Sequence, residues 1–247
     1  MIELKNVYKS FGDKNVLNGV NLTINKGETI VIIGKSGCGK SVMLKHIIGL
    51  MKPDKGEVII EGRNIVNLSR KDVYTVRKKF GFLFQGAALF DSMSVEENVG
   101  LGLRENRRLK DKEISRIVAE KLELVGLPGI QNMSPSDLSG GMKKRVSLAR
   151  AIADEPEYIL YDEPTTGLDP VMSDNIDELI RDLADKLKVT SIIVTHDIFS
   201  VIEVAQRVVM MEGGVVYFSG TPKELFDSDD TMITEFLRRT NKTRNNN

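Results

Sequence analysis

The chain has 247 residues, enough for one large domain or two small ones and for a real core. Its 35 Lys and Arg balance its 35 Asp and Glu, so the formal net charge is zero and the global electrostatic footprint of a nucleic-acid binder is absent. The one cysteine, Cys38, excludes an intrachain disulfide and fits a reducing compartment.

The N-terminal residues Met1 to Lys5 interleave acid and base and lack the apolar core and cleavage site of a secretory signal. No apolar run along the chain approaches the ~20 residues that span a bilayer, so the expectation is a chain soluble by itself. Val20, Leu22 and Ile24 alternate with Asn21 and Thr23, which predicts a half-buried strand. After the Lys26-Gly27 turn, Ile30 to Ile33 is a continuous apolar run of the kind covered on both faces. Leu44, Ile47, Ile48 and Met51 share one helical face, and Pro53 and Gly56 are expected to end that helix. A charged helix is predicted from about Lys110 to Val125, broken by Pro128, Gly129 and Pro135, and a second from Gly140 to Ala153. Tyr158 to Tyr161 reads as a buried strand. Asp169-Pro170 reads as a cap and first turn for a helix with Ile176, Leu179, Ile180, Leu183 and Leu187 on its apolar face. Thr190 to Thr195 is a further strand, Gly213-Gly214 a hairpin turn, and Thr221 to Glu224 a capping box. Residues 241–247 read as a disordered polar tail.

Strands alternating with helices predict an α/β fold with a mostly parallel sheet. The early strands are expected to form a separate antiparallel β subdomain. The stretch of about 86–154 is expected to be a helical subdomain set into a core of about 1–85 and 155–240. No solenoid repeat is present.

Gly34-Lys35-Ser36-Gly37-Cys38-Gly39-Lys40-Ser41 fits the phosphate-loop pattern, with a buried strand before it and an amphipathic helix after it. Glycine lets the backbone turn its N–H groups toward phosphate oxygens, and the helix start adds partial positive charge. Lys40 is expected to reach the β- and γ-phosphates and the Ser41 hydroxyl to ligate Mg²⁺. Cys38 reads as a small filler rather than a redox switch.

Asp162 and Glu163 end a buried strand, where open parallel sheets bind ligands. Alone they would read as a solvated turn. Beside a phosphate loop they read as a Mg²⁺ carboxylate (Asp162) and a group that orients the attacking water (Glu163). His196 follows the next strand and is placed to donate to the γ-phosphate. Gln85 follows Phe82-Leu83-Phe84, where its amide is placed to touch Mg²⁺ and water. His46 receives no role.

The most telling segment is Leu138-Ser139-Gly140-Gly141-Met142, a second glycine-rich turn that opens its own helix. One nucleotide does not obviously need two such sites in one chain. The economical explanation is that the second serves the nucleotide of a partner subunit.

Together these motifs, in this order, make the chain resemble the nucleotide-binding subunit of ABC transporters over nearly its whole length. The resemblance implies a P-loop NTPase (RecA-like) core and assigns Phe11 to stacking on adenine. It assigns residues 34–41 to ATP, and Ser139, Gly140 and Gly141 to the γ-phosphate held by a second copy. Gln85 becomes the glutamine at the entry to the helical subdomain, Asp169 a dimer contact, and His196 the switch histidine. Met142 stands where the family usually has glutamine, so a polar role of that side chain is absent. With Tyr74 to Lys79 and Leu83 to Phe90, it gives a narrower resemblance to the ATPase of Mla-type phospholipid transporters, which work with MCE-domain lipid-binding proteins. That implies an integral membrane permease, with residues 86–98 including its contact groove, and a peripheral place on the cytoplasmic face of the inner membrane. It implies Mg²⁺ with ATP, and no nucleic acid partner.

Three alternatives compete. An ABC importer or exporter ATPase for another cargo shares every motif. A soluble ABC ATPase acting on DNA or ribosomes usually carries a long coiled coil or two cassettes, and this chain has neither. A phosphate-loop kinase or GTPase leaves residues 138–142 unexplained.

Overall fold

The computed structural model describes residues 1–107 and 109–244, with side chains through Arg238 in the last helix. In chain order the elements are β1 (Ile2–Phe11), β2 (Lys14–Ile24), β3 (Thr29–Ile33), α1 (Lys40–Ile47), β4 (Lys55–Ile60), β5 (Arg63–Asn64), α2 (Arg70–Arg77), β6 (Phe80–Leu83), α3 (Val95–Arg107), α4 (Asp111–Leu124), α5 (Gly140–Ile152), β7 (Tyr158–Asp162), α6 (Pro170–Leu187), β8 (Thr190–Val194), α7 (Ile198–Val204), β9 (Arg207–Glu212), β10 (Val215–Gly220), α8 (Pro222–Phe226) and α9 (Thr231–Arg244). They fall into two compact units, Met1–Arg77 together with Thr190 onward, and Lys78–Val189.

The first unit holds the antiparallel sheet β2-β1-β4-β5. The alternation at 20–24 sets its register: Val20, Leu22 and Ile24 are buried opposite Val7, Leu4 and Ile2, while Asn21 and Thr23 are exposed. The same unit holds a parallel group in which β3 pairs with both β8 and β9. All five residues of β3 are buried, which is why its apolar run shows no alternation. The β9–β10 hairpin turns at Gly213 and Gly214, with φ of 58° and 80°, the left-handed conformations a two-residue turn requires.

Two expectations need correction here. The helix read through Met51 ends at Ile47, a turn earlier. Gly49 takes φ 63°, its N–H bonds to the His46 carbonyl, and the chain leaves the helix before Pro53 can act. The expected tail at 241–247 is helical in its first four residues, and 245–247 lie outside the described residues. Asp230 starts α9 by accepting from the Met232 and Ile233 N–H groups, and buried Ile233 and Phe236 anchor it.

In the second unit, β6 and β7 are parallel, with Phe80 opposite Tyr158 and Leu83 opposite Tyr161. A Cβ at Gly81 would lie 2.3 Å from the Ala151 carbonyl oxygen, so only glycine lets β6 pass α5 this closely. Val95, Val99 and Leu103 of α3 and Ile114, Val118 and Leu122 of α4 are buried at helical spacing. Each such burial contributes roughly 1.5–3 kcal/mol relative to exposure. Helices α4 and α5 span the ranges expected from periodicity within one residue at each end.

Candidate functional site

The phosphate-loop half lies in the first unit. Strand β3 ends at Ile33, and Gly34 follows with φ 148°. A Cβ there would lie 2.4 Å from the Met211 carbonyl oxygen and 2.8 Å from Cys38 Sγ, so the turn demands glycine. Gly39, at φ 106°, precedes α1, and a Cβ there would meet Leu17 and the Val16 carbonyl. Lys40 is buried, and its Nζ donates to the carbonyls of Gly34 at 2.7 Å and Lys35 at 3.2 Å. The ammonium thus sits inside the loop that residues 34–41 form. Lys35 reaches outward to Glu212 Oε1 at 2.9 Å, tying the loop to the end of β9. Ser36 and Gly37 are exposed at the loop's crest, and Ser41 is half-buried in the first turn of α1. Burial pushes the Cys38 thiol up against the opposing pull of Lys40, which disfavours a reactive thiolate.

Two further predicted residues lie in this unit. Phe11 ends β1 and is exposed, and Lys9 Nζ stands 5.6 Å from its ring centroid. His196 is exposed just beyond β8, between Thr195 and the N-cap of α7, Asp197. The Thr195 hydroxyl accepts from the Asp197 N–H at 2.9 Å, which fixes the turn around His196.

The second unit carries the remaining residues. Asp162 ends β7 and is half-buried, as is Glu163, whose φ of 52° is left-handed. Thr166 Oγ1 donates to Glu163 Oε2 at 3.1 Å. A non-glycine residue in that region is strained, and such strain gathers at functional sites. Gln85 is exposed two residues past β6.

Ser139 is the N-cap of α5; its hydroxyl accepts from the Met142 N–H at 3.3 Å. Ser139 and Gly140 are exposed, whereas Gly141 is buried, and a Cβ on it would sit 3.4 Å from Met172 Sδ. Asp169 caps α6 through Met172 N–H at 3.0 Å, as its sequence position predicts, and is itself exposed.

Sequence reasoning missed Lys144. It is buried in α5, and its Nζ donates to the carbonyls of Gln85 and, at 3.3 Å, of Glu163. Burial pushes its ammonium below the usual lysine range, and the carboxylates of Glu163 and Asp162 oppose that shift. Its phase was the available signal: Lys144 shares a helical face with buried Gly141, Leu148 and Ala151. Asn98 was missed too. Fully buried in α3, it binds the loop at 90–94 through both ends of its amide.

Ser41 in the first unit, and Gln85 and Asp162 in the second, each carry an oxygen donor of the kind a hard cation such as Mg²⁺ takes. Among the described residues no group of three acidic, histidine or cysteine side chains stands ready to cage a metal. Among the described residues no helix is long and apolar enough to cross a membrane.

Residues 17–166 match the family model described as ABC transporter. The chain is 41% identical over 238 residues to the intermembrane phospholipid transport system ATP-binding protein MlaF of Haemophilus influenzae, covering 96% of this chain and 90% of that one. It is 43% identical over 236 residues to the probable ribonucleotide transport ATP-binding protein mkl of Mycobacterium bovis, covering 96% of this chain and 66% of that one. A solved dimeric ATP-binding cassette in a post-hydrolysis state, bound to ADP and Pi, superposes with a TM-score of 0.83 at 35% identity, covering 90% of this chain and 99% of that one.

Proposed function

This chain belongs to the ABC transporter family, and from that premise we propose that it is the ATP-hydrolysing subunit that drives phospholipid transport in a bacterial cell envelope. It hydrolyses ATP and couples hydrolysis to transport. Residues Gly34, Lys35, Ser36, Gly37, Cys38, Gly39, Lys40 and Ser41 wrap the phosphates, and Phe11 stacks on the adenine. Ser41, Asp162 and Gln85 would hold Mg²⁺, which would neutralise charge on the phosphates. Glu163 orients and polarises the attacking water, and His196 donates to the γ-phosphate.

The single observation that carries the two-subunit reading is the exposed start of α5. Ser139 and Gly140 present a thirteen-residue helix terminus, a natural anion site, in a unit that has no phosphate loop of its own. The ligand for that terminus is the γ-phosphate held by a second copy, with Asp169 at the dimer contact. ATP closes the pair, hydrolysis and product release reopen it, and a permease converts the motion into alternating access.

The partners are that second copy, an integral membrane permease received by residues 86–98, and an MCE-domain lipid-binding protein. Nucleic acid is not among them. The chain sits peripherally on the cytoplasmic face of the inner membrane.

The 43% identity to mkl supports one further reading, an ABC ATPase for a different cargo. Mass spectrometry of the detergent-extracted native complex separates the two. A co-extracted permease with bound phospholipid supports the lipid reading, and a complex with a nucleotide cargo and no lipid refutes it. A complex without Mg²⁺-dependent phosphate release refutes the ATPase itself.

A further inference from the structure

Three backbone carbonyls beyond β6 are held by one stripe of α5. Lys144 Nζ donates to Gln85 O, Ser147 Oγ to Ala87 O at 2.8 Å, and Arg150 to Ala88 O at 2.7 Å and Ala87 O at 2.9 Å. The donors recur every three residues, so they lie along one side of the helix. The backbone they hold is unusual. Ala87 and Ala88 have φ of 61° and 50°, left-handed values that β-carbon-bearing residues avoid. Side-chain donors from α5 keep the segment in that shape, and the shape fixes where Gln85 leaves the strand.

Lys144 differs from the other two because it has a second anchor. Its Nζ also donates to the Glu163 carbonyl, and the charges of Asp162 and Glu163 act on it. An ammonium has three donors, so one group can serve both carbonyls at once. Five residues before it, Ser139 caps the same helix. One rigid helix therefore ties the helix start at 139–141 to the glutamine segment and to the backbone of the carboxylate pair.

We propose that Lys144 is a positioning residue for ATP hydrolysis: it locks Gln85 and Glu163 to the helix that begins at Ser139. The inference rests on the ATPase reading and extends it. Engagement of Ser139 by a γ-phosphate shifts α5, and through Lys144 the glutamine and the glutamate shift with it. Hydrolysis in one copy is then faster when the start of its own α5 is engaged by the partner's nucleotide.

The test compares Lys144→Met, which keeps the stem and removes the ammonium, with Lys144→Arg, which keeps charge and donors. The wild-type protein must first show Mg²⁺-dependent phosphate release; without it the ATPase reading fails, and amide exchange still judges the contact. Lys144→Met is expected to lower kcat at least about tenfold while KM for ATP stays within about threefold, the pattern of an interaction expressed in the transition state. Amide exchange of residues 84–88 is expected to rise in Lys144→Met. Lys144→Arg is expected to keep both readouts near wild type. If the methionine variant does not fold, Lys144→Gln takes its place, since it removes the charge and its shorter side chain cannot bridge both carbonyls. Wild-type turnover in Lys144→Met, a loss confined to KM, unchanged exchange at 84–88, or failure of arginine to restore kcat would each overturn the proposal.

Discussion

Asn98 offers the sharpest stability test in the molecule. Its side chain is fully buried, Oδ1 accepts from Phe90 N–H at 2.8 Å, and Nδ2 donates to the carbonyls of Phe90, Met93 and Ser94 at 3.0–3.1 Å. Not all of these partners depend on it equally. Phe90 O also accepts from Met93 N–H, and Ser94 O also accepts from the Asn98 N–H. Asn98→Ala therefore strips the partner from two groups, Phe90 N–H and Met93 O. An orphaned buried group costs about 1–3 kcal/mol, so two cost roughly 2–6 kcal/mol. For a chain of this size that is a fall in Tm of at least about 4 °C. Asn98→Asp is expected to be worse at neutral pH, because a carboxylate faces three carbonyl oxygens with no donor. Protonation returns one O–H, so the penalty for Asn98→Asp shrinks as the pH falls. Calorimetry across pH measures both effects, and amide exchange over residues 90–98 locates them. An Asn98→Ala protein melting within about 1 °C of wild type would refute the assignment of this amide as the clasp of the loop.

Other outcomes follow from the same geometry. Glu163→Gln is expected to slow phosphate release by roughly 10²–10⁴ while nucleotide binding persists; wild-type turnover would remove Glu163 from the water-orienting role. Neither Lys40→Ala nor Ser139→Ala is expected to turn over well alone, but a verified heterodimer of the two should regain one working pocket, measured as phosphate release on mixing. His46 is buried, its Nδ1 lies 2.7 Å from the Val42 carbonyl, and burial holds its imidazole below the usual pKa of 6.5. The native state thus binds fewer protons than the unfolded chain just below pH 6.5, so this contribution is intact above pH 6.5 and is lost as the pH falls through the depressed native value. His46→Gln should flatten the slope of Tm against pH just below pH 6.5; an unchanged slope would clear His46 of that role.

Much of the fold was legible because it rests on local rules. The alternation at 20–24 set the register of β2, and Asp169-Pro170 placed the start of α6 through a cap that the structure contains. The Gly213-Gly214 turn and the Thr221 capping box were equally local. The end of α1 was misread for a related reason. Apolar spacing continues through Met51, and periodicity cannot distinguish a residue that stays in the helix from one that packs just past its end. The left-handed Gly49, whose Cβ would lie 2.9 Å from Val73, decides it, and Val73 is distant in sequence.

The same limit explains the site. Residues that touch a ligand announce themselves in motifs, because phosphate and metal chemistry dictates residue type at fixed spacing. Residues that hold those groups in place are chosen by contacts across the fold. In sequence only helical phase sets Lys144 apart from Lys143, which is half-buried and carries no such bonds among the described contacts. Helical phase turns one lysine into the unit and leaves the other at its margin. Once inside, an ammonium without acceptors would be costly to bury, so the carbonyls of Gln85 and Glu163 are what make Lys144 tolerable there. The dependence runs both ways. Donors from α5 help hold Ala87 and Ala88 in left-handed backbone, and the carbonyls of that segment in turn satisfy Ser147 and Arg150 of α5. Such mutual dependence is invisible to any window of sequence, and it makes the glutamine segment and the helix behind Ser139 respond as one piece.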